Sequence, residues 1–295
     1  MTQPALSVVV ASVNGMPYLG RCLDALAERC PEAEVVVADW TDEPTRAKVR
    51  QRWPQVRLLS FDEPMAIPEL RAAGVFASSA PVVALIEDHC LVTSAWAGRL
   101  LAAHADGHAV AGGPIRNVAT QRLRDWAAFF CEYSAVMEPM PRGQVGSLPG
   151  MNVSYGREAL AAIEDLLREG RWENWLHPRL RQRGFDLWCE PEAVVEHDKD
   201  FDLREFLSQR YHYSRSYAGM RNPGLGRRRW LFALGTPLLL PLLYGRIARN
   251  VFSRGRDRMR FVLATPLVLL YVVVWAAGEA VGYTMGGGRS LLKVR

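Results

Sequence analysis

The chain of 295 residues is 49% hydrophobic and 23% charged, which excludes disordered and collagen-like classes and leaves room for one large domain or two small ones. Its net charge of +5 conceals a division: residues 1–203 carry 20 basic against 28 acidic side chains, and residues 204–295 carry 16 against 3. An acidic front and a basic, apolar tail do not share one solvent environment, and the tail points to a membrane surface or to nucleic acid.

In chain order, Leu6–Ala11, Glu34–Ala38, Val56–Ser60, Val82–Ile86 and Ala109–Ala111 are short, mostly apolar runs bounded by polar, proline or glycine residues. Such runs are expected as strands buried on both faces of a parallel sheet. Between them Tyr18–Arg29, Glu43–Trp53, Pro68–Ser78 and Ser94–His104 place apolar residues at helical spacing, which predicts a doubly wound α/β layer. Ligands of such a layer gather beyond the carboxyl ends of the strands, after residues 11, 38, 60 and 86 here. Residues 114–155 break the rhythm with an amphipathic segment around Asp125–Met137 and a loop rich in proline and glycine. Helices are expected over Arg157–Arg168 and Trp172–Arg183, and short strands over Asp186–Cys189 and Ala193–Glu196. A helix from Phe201 to about Met220 then leads into the tail.

Two apolar stretches decide what the tail is for. Trp230–Gly245 holds sixteen residues without a charge, and Phe261–Tyr283 holds 23 with Glu279 alone. A membrane span takes about 20 apolar residues, so the second stretch qualifies. The first, about 24 Å long as a helix, falls short of a hydrocarbon core of about 30 Å. Basic residues flank both, and the six arginines within 246–260 resist translocation. The expectation is membrane lipid and no nucleic acid, with Phe261–Tyr283 spanning and Trp230–Gly245 interfacial or re-entrant. No basic region precedes the apolar run at Leu6, so the front domain is expected in the cytoplasm. Cys22, Cys30, Cys90, Cys131 and Cys189 form no CxxC pair and are expected as reduced, mainly buried thiols.

Several residues have the chemistry of a site. Asp39 ends the second strand, where a carboxylate accepts hydrogen bonds from a base or ribose, or else caps the next helix, a task for which Thr41 or Asp42 is better placed. Glu87-Asp88-His89 ends the fourth strand, and carboxylates with one imidazole suit Mg2+ or Mn2+. His197 follows a strand-like run and serves as a ligand or as a structural histidine. Glu173 and Asn174 open a helix, where an acid ordinarily offsets the helix dipole, and His177 lies on the same helix. Gly112-Gly113 and Gly150 allow a close backbone approach or a tight turn. No GxGxxG, Walker A loop, GxSxG or HExxH is present, so the readings those motifs carry have no support.

Taken in order, these landmarks resemble family 2 glycosyltransferases of the GT-A fold over about residues 5–220, leaving 221–295 as a basic, membrane-associated region. The opening LSVVVASVNG with Asn14, the acidic ADWTD, ALIEDH at the place of a DxD motif, Gly112-Gly113, Gly150-Met151-Asn152, Glu173-Asn174 with LRQRG, and Val195-Glu196-His197 carry the likeness. The resemblance implies donor contacts at Ala11, Val13, Asp39, Glu87 and Asp88, with Mg2+ or Mn2+ on Asp88, His89 and His197. It implies an acceptor side at Gly150 and Asn152, to which Arg210 and Arg215 are added as cations placed to meet a phosphate at the membrane. The catalytic positions become Glu173 and Asn174. Two departures stand out: EDH replaces DxD, and Asn174 stands where the family has its catalytic aspartate. Asparagine cannot accept a proton at neutral pH, so Glu173 takes the base role, or the acceptor is a lipid phosphate already ionised. The implied function is inverting transfer from a nucleotide-sugar to a lipid-linked or glycan acceptor at the cytoplasmic membrane face, in cell-envelope glycan synthesis. The altered motifs keep open a nucleotide-sugar-binding scaffold without transfer activity, and a nucleotidyltransferase.

Overall fold

The computed structural model describes residues 3–294. Two compact units are present, Met1–Val118 with Val136–Asp198, and Ala119–Ala135 with Lys199–Arg295. The division at Asp198 falls inside the stretch expected as one domain, 1–220, and assigns 119–135 to the tail unit.

In the first unit β1 (Leu6–Ser12), α1 (Tyr18–Arg29), β2 (Glu34–Asp39), α2 (Glu43–Arg52), β3 (Arg57–Ser60), α3 (Ile67–Ala77) and β4 (Val82–Glu87) alternate as their periodicity predicts. There follow β5 (Cys90–Val92), α4 (Trp96–Ala105), β6 (Val110–Gly112) and β7 (Ile115–Asn117). After α5 (Leu123–Tyr133), which belongs to the second unit, the chain forms β8 (Gly143–Gln144), β9 (Val153–Gly156), α6 (Arg157–Ala162), α7 (Glu164–Arg168), α8 (Glu173–Gln182), β10 (Leu187–Cys189) and β11 (Val195–His197). The main sheet runs β3-β2-β1-β4-β9-β6-β10-β8, and a smaller one runs β5-β11-β7.

Every residue of β1 and β4 is buried, which is why these strands read as unbroken apolar runs. Both pair in parallel with their neighbours on the β1 side, but β9 inserts antiparallel between β4 and β6. Its sequence, VSYG, shows no apolar run because Ser154 is satisfied inside the sheet: its hydroxyl donates to the Ala111 carbonyl at 2.9 Å and lies 2.8 Å from His104 Nε2. Helix α3 seats directly on β1, since a Cβ on Gly74 would collide with the Val9 side chain. The register sets Ser12 opposite Asp39 and Ala11 opposite Glu87, so the carboxyl ends of three strands form one edge.

The second unit comprises α5, α9 (Leu203–Leu225), α10 (Arg229–Gly235), α11 (Leu239–Arg254) and α12 (Arg258–Met285), with 3-10 turns at Gly226–Arg228, Thr236–Leu238 and Ser290–Lys293. Small residues bring α9 and α12 together: a Cβ on Gly278 would strike Ser214, and one on Gly282 would strike Ala218 and the Arg215 carbonyl. By length and composition the helical runs Leu203–Arg254 and Arg258–Met285 are both able to cross a membrane. Helix α11 continues past Gly245 to Arg254, so the apolar stretch ends before the helix does. Leu231, Leu234 and Leu242 are 70%, 79% and 65% exposed, an apolar surface that asks for apolar surroundings. All five cysteines are buried free thiols.

Candidate active site

The site lies in the first unit, at the edge where β1, β2 and β4 end. From β4 the chain turns through Asp88 and His89 into β5, and neighbouring side chains diverge. Asp88 is fully buried and turns to the β1–α1 loop. Its Oδ2 accepts from the backbone N–H groups of Val13, Asn14 and Gly15 at 2.9, 2.6 and 3.2 Å, and its Oδ1 from Asn14 Nδ2 at 2.7 Å. His89 Nδ1 stands 3.3 Å from Oδ1. Burial pushes the Asp88 pKa up, but His89 and Asn14 outweigh it and hold the carboxyl below the usual aspartate range. A carboxylate offers about four lone-pair sites, and these donors use them all. Asp88, expected on the metal and the donor, anchors the loop. Ala11 and Val13 serve the same anchor through their backbones, Ala11 by accepting from the Asp88 N–H at 3.1 Å.

Asp39, expected at the nucleobase, sits in a similar network. It is fully buried and accepts from Ser12 Oγ at 2.7 Å, from the Thr41 N–H at 3.1 Å and hydroxyl at 2.8 Å, and from Arg46 Nε at 3.0 Å. Its carboxylate ties the end of β2 to α2. Capping of α2 falls to Asp42, which accepts from the Thr45 N–H at 2.9 Å.

The side chain that organises the edge is Arg71 on α3, 4% exposed and not singled out from the sequence. Its Nη2 pairs with Glu87 Oε1 and its Nη1 with Glu173 Oε1. Its Nε is buried and without a hydrogen-bond partner among the described residues, and the guanidinium stands 5.6 Å from the Trp172 ring centre. A signal was present: Arg71 falls on the apolar face of its helix, one turn from Ile67, Gly74 and Val75. Gly150 abuts the pair, because a Cβ there would collide with the Glu173 carboxyl group and with Arg71 Nη1. Glu87, Gly150 and Glu173 are thus brought together, whereas Asn174 is exposed. Tyr155 and His177, both buried, pair at 3.1 Å between OH and Nε2. Burial pushes the His177 pKa down to about 4 and, with the Glu173 charge nearby, raises that of Tyr155 well above the ordinary value.

On the metal question, His89 Nε2 makes no hydrogen bond among the described residues and lies 3.7 Å from Glu87 Oε2. The His197 ring meets the His89 ring edge-on at 4.8 Å between centres, placed there by pairing of β11 with β5. Among the described residues no three His, Cys, Asp or Glu side chains stand close enough to hold an ion as they are, so the expected Asp88–His89–His197 set is not assembled. The chemistry of Glu87, His89 and His197 nonetheless fits a divalent ion. One carboxylate oxygen with imidazole nitrogens suits a transition-series ion better than Mg2+, which prefers oxygen.

The remaining expected residues have structural duties. Cβ atoms on Gly112 and Gly113 would strike the carbonyls of Asn152 and Ala193, so the close approach is to the protein's own backbone. Asn152, fully buried, accepts from Trp96 Nε1 at 2.8 Å and donates to the carbonyls of Pro114 and Ala193 at 3.0 and 2.8 Å, clamping three segments together. Arg210 and Arg215 belong to the second unit. Arg210 is buried there with its guanidinium 4.6 Å from the ring centres of both Tyr213 and Trp275, and Arg215 Nε donates to the Gly286 carbonyl at 3.1 Å.

Comparison with known proteins agrees with the fold. Residues 7–159, more than half of the chain, match the glycosyl transferase family 2 description. Among solved structures the fold is similar to the mannosyltransferase PcManGT from Pyrobaculum calidifontis in complex with GDP-Man and Mn2+, with a TM-score of 0.58 and 16% identity over 95% of this chain and 88% of that one. It is also similar to GalNAc-T7 with UDP, GalNAc and Mn2+, with a TM-score of 0.52 and 14% identity over 68% of this chain and 45% of that one. No curated protein matches at the level of sequence.

Proposed function

The chain belongs to glycosyl transferase family 2, and from that premise we propose that it transfers a sugar, with inversion, from a nucleotide-sugar to a lipid-linked or glycan acceptor at the cytoplasmic face of a membrane. The observation that carries this reading is the arginine-bridged pair Glu87–Arg71–Glu173 at the carboxyl edge of the sheet, where ligands of such layers lie. The GDP-Man, UDP and Mn2+ of the similar structures support a donor of that class.

Glu173 acts as the base. Arg71 holds its Oε1, which leaves Oε2 to take the proton of an acceptor hydroxyl. The hydroxyl oxygen bonds to the anomeric carbon as the bond from that carbon to the diphosphate oxygen breaks, and the electron pair leaves with the diphosphate. A Mn2+ or Mg2+ ion held by Glu87, His89 and His197 would supply further neutralisation of the leaving group.

The exposed leucines of α10 and α11 support membrane attachment through the second unit. Phe261–Tyr283 spans, and Trp230–Gly245 lies at the interface so that the arginines of 246–260 stay on the cytoplasmic side. Ser253→Cys in a background lacking the native cysteines should resist a membrane-impermeant maleimide applied to intact cells; strong labelling would place that loop outside. For the chemistry, Glu173→Gln should lower turnover by about two to four decades with donor binding nearly intact, and a fully active variant removes Glu173 from the base role.

A further inference from the structure

We propose that Arg71 is the residue that positions Glu173 for proton acceptance, with Glu87 as the anchor at its far end. This rests on the reading of Glu173 as the base. Glu173 is the first residue of α8, and its carboxylate is held by Arg71. Without that contact a glutamate side chain samples several rotamers, and a misplacement of about 1 Å in a reacting group costs on the order of a hundredfold in rate.

The other end of the contact is rigid. Arg71 rides on α3, which Gly74 lets sit against β1, and its Nη2 is fastened to Glu87 at the end of β4. A guanidinium presents its donors in one plane, so fixing Nη2 on Glu87 also fixes where Nη1 meets Glu173. Gly150 closes the arrangement, since any side chain there would push into the Arg71–Glu173 contact. Lysine carries the same charge but cannot bridge two carboxylates with that geometry.

The test is a double-mutant cycle read by steady-state release of nucleoside diphosphate from UDP-glucose, UDP-GlcNAc and GDP-mannose. Arg71→Met should lower kcat by about two decades while donor KM changes less than about threefold, and Arg71→Lys should recover about tenfold of that loss. In the Glu173→Gln background neither Arg71 substitution should cost more than about twofold, because the group it positions is already gone. Arg71→Lys keeps a buried charge opposite the two acids, so the cycle can be closed with it if Arg71→Met fails to fold. If Glu173→Gln is impaired and the Arg71 losses multiply with it, Arg71 acts on something other than Glu173 and the positioning role is overturned. A rise in donor KM with kcat unchanged overturns it as well. If Glu173→Gln is itself fully active, the base assignment fails first, and this inference falls with it.

Discussion

Asp88→Asn separates an anchoring carboxylate from a metal-binding one. In the structure the Asp88 carboxylate receives four hydrogen bonds from Val13, Asn14 and Gly15, three of them on one oxygen. An amide keeps a single oxygen. If that oxygen faces the three backbone N–H groups, the new NH2 points at Asn14 Nδ2, donor against donor. If it is reversed, three backbone N–H groups lose their acceptor. Hydrogen bonds to a charged group contribute about 1.5–3 kcal/mol each, and weakening the set without abolishing it should cost about 3 kcal/mol. For a chain of this size each kcal/mol moves Tm by roughly 2–4 °C, so thermal unfolding should shift down by about 6–12 °C. Mn2+ affinity, followed by the loss of the free-ion EPR signal, should stay within about threefold of the parent, since the loop donors already occupy the Asp88 carboxylate. The reasoning fails if Asp88→Asn melts like the parent but no longer takes up Mn2+. That result would mean the carboxylate is a ligand and its grip on the loop dispensable.

Two further outcomes follow from the same geometry. Gly150→Ala should cost about two decades of turnover, because its Cβ lands on the Glu173 carboxyl group and on Arg71 Nη1; equal activity would show that Glu173 can move aside freely. His177 is held neutral by burial, its pKa down from 6.5 to about 4. Between those values the unfolded chain binds a proton that the folded chain does not, so stability falls as pH drops through this window, by about 3 kcal/mol. His177→Gln, which keeps a partner for the Tyr155 hydroxyl, should flatten the difference in urea unfolding between pH 7 and pH 4.5, and an unchanged acid loss would contradict the assignment.

The first half of the sheet was readable from sequence because parallel strands buried on both faces leave unbroken valine-rich runs, as in β1 and β4. β9 was not, since its four residues include a serine whose hydroxyl is satisfied by the Ala111 carbonyl of a distant strand and by His104. The candidate site shows the same limit. Position at a strand end located Glu87 and the family resemblance located Glu173, but neither tells an acid that faces a ligand from one that feeds backbone N–H groups. Asp39 and Asp88 occupy the expected strand ends and spend their lone pairs on Ser12, Thr41, Arg46 and the loop at Val13–Gly15. Arg71 was hidden for the opposite reason: an arginine in a helix ordinarily reads as solvated, and its two partners lie far from it in the chain.

Catalysis at the Arg71-bridged edge can be put to the test by incubating the purified chain with UDP-glucose, UDP-GlcNAc and GDP-mannose in the presence of Mn2+ and quantifying nucleoside diphosphate and sugar-bearing lipid or glycan products by mass spectrometry. At least one donor should release its nucleoside diphosphate, at a rate that Glu173→Gln lowers by at least about two decades. Binding of a donor without turnover, or release of pyrophosphate in place of nucleoside diphosphate, would contradict a sugar-transferring enzyme and would return the chain to a scaffold or to a nucleotidyltransferase.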